Sequence, residues 1–222
     1  MAHVKQATPG GRARRQAAYV RARGELPTFE EMRANLRATI DGSSFGAEVE
    51  GLAWYASAHS IAADMAVRHG LTVRQCAGVL AALSPQTGWA ENIRLADEAC
   101  GSGKASGHTF DACGKADRIL AGEDPADVLG GRKVRSFFAN IVEPGRSGAV
   151  TVDRHCVDML VGRRGAVNDR VLERPGAYVL CAAVVRAVAR DLGWRPHEVQ
   201  AVAWVAWRQA HDVAFRFDLG EF

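Results

Sequence analysis

Helix-start signals recur along this chain so regularly that they leave little room for any other secondary structure. Thr28-Phe-Glu-Glu31 and Thr72-Val-Arg-Gln75 are capping boxes, in which the hydroxyl accepts from a free backbone N–H and the Glu or Gln side chain reaches back. They predict helices over about 29–40 and 73–83. Between them Val49, Leu52, Ala53, Ala56, Ala63 and Val67 follow a helical spacing, which predicts an apolar face on a long helix ended by Gly70. Further helices are expected over 88–100, 109–121, 125–129, 133–142, 154–162, 175–192 and 197–212. Pro125 and Pro196 suit first helical turns, where the missing N–H costs nothing. The segment Ala201 to Trp207 (AVAWVAW) is apolar all round, so its helix should be buried. Only Ala149-Val-Thr-Val152 looks extended, and it reads equally well as a tight connection. The fold class predicted is all-α.

Charge is distributed unevenly. Residues 1–24 hold Lys5, Arg12, Arg14, Arg15, Arg21 and Arg23 and no acid, giving a basic tail of +6 on a chain whose net charge is +3. The other 22 of the 28 basic residues face all 25 acidic ones, so the body is about −3. A basic arm on a mildly acidic body suits a polyanion such as nucleic acid. Of the basic residues 24 are Arg and four are Lys, so each Lys draws notice. No apolar run approaches the roughly 18 residues of a membrane helix, so no membrane partner is expected. The start MAHVKQATPGGRARRQ has no apolar stretch resembling a secretory signal. The five cysteines, Cys76, Cys100, Cys113, Cys156 and Cys181, are odd in number and scattered, which points to reduced thiols and a cytoplasmic location.

The sequence contains no CxxC, HxxxH or HExxH and no phosphate-binding glycine fingerprint, so neither a metal nor a cofactor is expected. His59 beside the long helix reads as a satisfied core histidine. Three segments at predicted helix ends stand out: Leu83-Ser-Pro-Gln-Thr87, Leu129-Gly-Gly-Arg-Lys-Val134 and Val150-Thr-Val-Asp-Arg-His155. A Gly130-Gly131 turn leading into Arg132 and Lys133 offers backbone N–H groups and two cations to one phosphate. Asp153 should cap its helix after a partly buried Val-Thr-Val run, and a desolvated carboxylate near a lysine can act as a general base or steady a developing cation.

The order LSPQT, GGRKVRSFFANI, VTVDRH resembles the helix-hairpin-helix DNA glycosylase superfamily typified by endonuclease III, over residues 80–156. The resemblance implies a two-lobed helical fold with a central DNA cleft, in which a flipped-out base is processed. It places one lobe at 72–150 and the other at 25–71 with 151–222, within a helical domain over 25–222. It assigns Gln86 as the side chain that wedges into DNA, with Lys133 and Asp153 as the catalytic amine and carboxylate. Ser84, Thr87, Gly130, Gly131, Arg132, Arg135, Arg154 and His155 are the further DNA-binding residues it implies. The expected activity is base excision on double-stranded DNA by a monomer, with a lyase step if the Lys133 amine attacks the sugar.

The hairpin is one residue shorter than the family pattern, and Val134 stands where Thr is usual. That leaves room for a second enzyme class, resembling phage proteins that transfer amino acids or amines to phosphorylated hydroxymethyluracil in DNA. A third expectation, from another class, is a DNA-binding protein without catalysis, for which the basic arm and the glycine turn suffice.

Overall fold

A computed structural model describes residues 26–165 and 170–211, and these are helical throughout, with no strand among them. Ten α-helices follow in order: α1 (Phe29–Asp41), α2 (Phe45–His69), α3 (Val73–Ala82), α4 (Trp89–Ser102), α5 (Phe110–Leu120), α6 (Pro125–Val128), α7 (Arg132–Val142), α8 (Arg154–Val161), α9 (Ala177–Leu192) and α10 (Pro196–Ala210). A 3-10 turn at Val171–Glu173 precedes α9. The basic segment 1–24 lies outside the described residues. None of the described helices is long and apolar enough to cross a membrane.

The helix starts are where the capping chemistry puts them. Thr28 and Thr72 each accept the backbone N–H of the third helical residue while Glu31 and Gln75 reach back, so both capping boxes are complete. Asp124 caps α6 ahead of Pro125. The Val150–Val152 run is a buried connection and not a strand.

The chain divides into two compact units, and the division falls inside α2, between Gly51 and Leu52. One unit joins the described residues up to Gly51 with Val152–Trp207. In it α1 packs on α8 and α9 through Met32, Leu36 and Ile40, which recur every four residues on its buried face. Asn35 donates to the Leu160 carbonyl (3.0 Å), and Arg33 bonds Asp191 (2.7 Å). In the other unit α3 is the hub, packing against α4, α5, α6 and α7, and it is buried from Cys76 through Ala82.

One expectation about α2 fails. Val49 and Val67, assigned to its apolar face, are 50% and 85% exposed. Ala53 and Ala56 are exposed as well, and Leu52 and Ala63 are only half-buried. The buried stripe is instead Ala47, Gly51, Tyr55, Ala58, Ala62 and Met65. The reason is steric: a Cβ on Gly51 would stand 2.3 Å from the Val202 Cα, so α10 approaches too closely for a larger residue. The prediction for α10 itself holds, since Ala201, Val202, Ala203, Val205, Ala206 and Trp207 are all buried. His59 is satisfied as expected, its Nδ1 donating to the Ile141 carbonyl at 2.8 Å.

Candidate functional site

The Leu83–Thr87 segment follows directly from how α3 ends. Leu83 is fully buried and closes the helix, and Pro85, which has no N–H, prevents its continuation. Ser84 to Thr87 then form a turn, with the Thr87 N–H directed at the Ser84 carbonyl over 3.4 Å. Proline at the second position and a positive φ at the third are the marks of a type II turn. The third position is Gln86, with φ of 60°, the one described non-glycine residue in that region. Glycine or asparagine is the usual occupant, so Gln86 holds this place at a conformational cost. Gln86 is exposed, while Ser84 and Thr87 are half-buried. Ser84 Oγ donates to the Ala81 carbonyl (3.0 Å), which ties the turn back to α3.

A residue the sequence reading passed over grips this turn from outside. His108 Nε2 lies 2.6 Å from Thr87 Oγ1 and 3.0 Å from the Pro85 carbonyl, while its Nδ1 accepts the Thr109 N–H at 2.7 Å. Thr109 caps α5. The next residue, Phe110, is 95% exposed, the most exposed large apolar side chain described. A lone histidine in Ser106-Gly-His-Thr109 carries no periodic or motif signal, and only its position before a helix cap hints at a role.

The glycine turn lies close by in the same unit. Leu129 is fully buried, and its carbonyl accepts from Arg135 Nε at 2.6 Å, which fixes the entry into α7. Gly131 takes φ 69° and ψ 141°, a conformation that side chains disfavour, and no atom lies within 4 Å of a Cβ added at Gly130 or Gly131. The α7 start has no side-chain cap and no acid in its first turn. Its leading N–H groups therefore carry the positive end of the helix without an internal partner from a capping side chain. Arg132 and Lys133 are exposed there. Of the described lysines, Lys104 is paired with Asp117 and Lys115 with Asp111, whereas Lys133 has no partner among the described residues. A hollow of about 170 Å³ has Pro85, Gln86, His108, Lys115, Gly130 and Val134 in its walls, so the Gln86 turn and the glycine turn share one surface. Next to Gly88 begins a group of aromatic rings: Trp89 lies 5.1 Å from Trp54 and 6.1 Å from Phe137, one turn along α7 from Lys133.

The third motif belongs to the other unit. Asp153 caps α8, Oδ1 accepting the Cys156 N–H at 2.8 Å, and it is half-buried behind the buried Val150–Val152 run. Val152 N–H donates to the Tyr178 hydroxyl (3.3 Å), which steadies the approach to the cap. Arg154 is exposed and His155 half-buried. Burial pushes the Cys156 thiol up and the Cys181 thiol up to about 12, so neither is a thiolate nucleophile. Among the described residues no group of three or more His, Cys, Asp and Glu is placed to hold a metal ion.

The chain matches no curated protein and no solved structure. A family model described as a family of unknown function (DUF7178) matches residues 22–211, and the chain belongs to that family.

Proposed function

We propose that the protein is a DNA-directed enzyme that excises a base from double-stranded DNA. The observation that supports this best is the Ser84–Thr87 turn, which holds an exposed amide on a rigid base beside an uncapped, cation-bearing helix start. An exposed Gln86 suits the gap left when a nucleotide is rotated from the stack, an event costing a few kcal/mol that a damaged base reduces. Phe110, exposed next to the same hollow, suits an apolar wedge between base steps. The α7 N–H groups with Arg132 and Lys133 suit a phosphate, fixing register without reading sequence.

In the chemical step Asp153 keeps the role the resemblance gives it, its carboxylate balancing positive charge at the sugar C1′ as the N-glycosidic bond breaks. Either water or the Lys133 amine then bonds to C1′. The amine must be neutral to attack, a state Lys can reach on desolvation and Arg cannot.

The test is incubation with duplexes carrying a panel of damaged and modified bases, followed by borohydride. Base release with an adduct at Lys133, lost in Lys133→Gln, is the expected result for amine attack. Base release without adduct, lost in Asp153→Asn, assigns the attack to water. No release from any duplex, but a mass gain on a phosphorylated hydroxymethyluracil strand given an amine donor, would replace excision by base modification. Binding with neither reaction would leave a DNA-binding module.

A further inference from the structure

We propose that His108 is a positioning residue that fixes the pose of the Gln86 turn and ties it to the start of α5, where Phe110 is exposed. This rests on the DNA-directed reading for its consequence, though not for its geometry. A glutamine at φ 60° persists only if its surroundings over-determine it. Within the turn itself the closing bond is long, 3.4 Å from the Thr87 N–H to the Ser84 carbonyl. The short contacts come from His108, 2.6 Å to Thr87 Oγ1 and 3.0 Å to the Pro85 carbonyl. These flank Gln86 on both sides in the chain.

The histidine's own state is set by its other nitrogen. Nδ1 accepts the Thr109 N–H, so the ring hydrogen sits on Nε2, directed at the turn. Thr87 Oγ1 can then accept from Nε2 and donate to the Pro85 carbonyl, 3.2 Å away, so each polar hydrogen has an acceptor. One ring thus links Pro85 and Thr87, either side of Gln86, to the residue before Phe110. Gln86 and His108 both line the hollow of about 170 Å³, so removing the ring enlarges the space beside the turn into which Gln86 can relax. Gln86 and Phe110 would then lose their fixed relation, which matters if both enter one distorted stretch of duplex.

The experiment has a geometric arm and a binding arm. In the first, nitrogen-15 NMR of the full chain should show His108 with a bare Nδ1 and a protonated Nε2. The strong intraresidue HN–Hα Overhauser contact expected of Gln86 at positive φ should vanish in His108→Ala and return in His108→Gln, whose amide N–H can replace Nε2–H. In the second, affinity is measured for a duplex with a stable abasic-site analogue and for undamaged duplex. His108→Ala should weaken the first about tenfold and the second less than twofold, and His108→Gln should recover most of the loss. Combined with Gln86→Ala, the His108→Ala loss should not add, because it acts through that side chain. An unchanged Gln86 backbone in His108→Ala, the opposite tautomer, or additive losses would each overturn the proposal. A chain that binds neither duplex would defeat the DNA-directed reading, while the NMR arm would still decide the role of His108.

Discussion

Two helices begin at motifs that stand out in the sequence, one in each unit, and they meet the same electrostatic problem in opposite ways. At α8 one of the orphan donors is answered from within, since Asp153 turns a carboxylate onto the Cys156 N–H. At α7 the cap position is Gly131, which has no side chain to turn back, and the first turn adds Arg132 and Lys133 with no acid. A negative group at a helix start stabilises it, whereas cations there are unfavourable unless something anionic arrives from outside. The contrast is that α8 receives a side-chain cap from Asp153 while α7 receives none, which is the feature the proposed phosphate contact draws on.

The largest expected effect separates the cap that Asp153 forms from the catalytic role proposed for it. Asp153→Asn retains a good capping side chain but removes the charge, so excision should fall roughly 100- to 1000-fold while stability shifts by less than about 0.5 kcal/mol. Parallel loss in a urea melt and in the rate would mean that the residue is a cap alone. Next comes Gly131→Ala. No atom opposes the new Cβ, so its cost should be purely conformational, about 1–3 kcal/mol in chemical denaturation. Asp153→Ala should remove about 1 kcal/mol by loss of the cap, with the effect seen equally in the absence of any nucleic acid. The smallest stability change is expected for Lys133→Gln, within about 0.5 kcal/mol, because the side chain is exposed and has no described partner. Its signature should lie in binding, where the slope of log affinity against log salt drops by about one. An unchanged slope would return Lys133 to the solvated surface and erase the contrast between the two helix starts.

The sequence spoke clearly where the determinant was local. Capping at Thr28 and Thr72, the prolines at 125 and 196, and the apolar α10 were all legible because each depends on neighbours within a turn or two. The face of α2 was not. Hydropathy favours Val49 and Val67, but packing against α10 required Ala47 and Gly51, and closeness of approach is a property of the partner helix rather than of the segment. At the candidate site the Leu83–Thr87 and Leu129–Val134 segments could be read as motifs, and both border one hollow. His108 could not be found this way, since it meets Thr87 across 21 residues through a single ring nitrogen. Nor did Phe110 stand out, because an aromatic residue after a helix cap is usually read as core, and here it is 95% exposed.

The backbone of Gln86 carries a consequence for anyone seeking a sturdier version of this protein. A routine stabilisation screen would nominate Gln86→Gly, since glycine relieves the left-handed strain of about 1 kcal/mol and suits the third place of a type II turn. The substitution should raise the melting temperature and, by deleting the amide, blunt the molecule at its task. If Gln86 enters DNA as proposed, durability and purpose pull apart at this position, and ranking variants of this turn by heat resistance alone would select against the residue the proposal depends on.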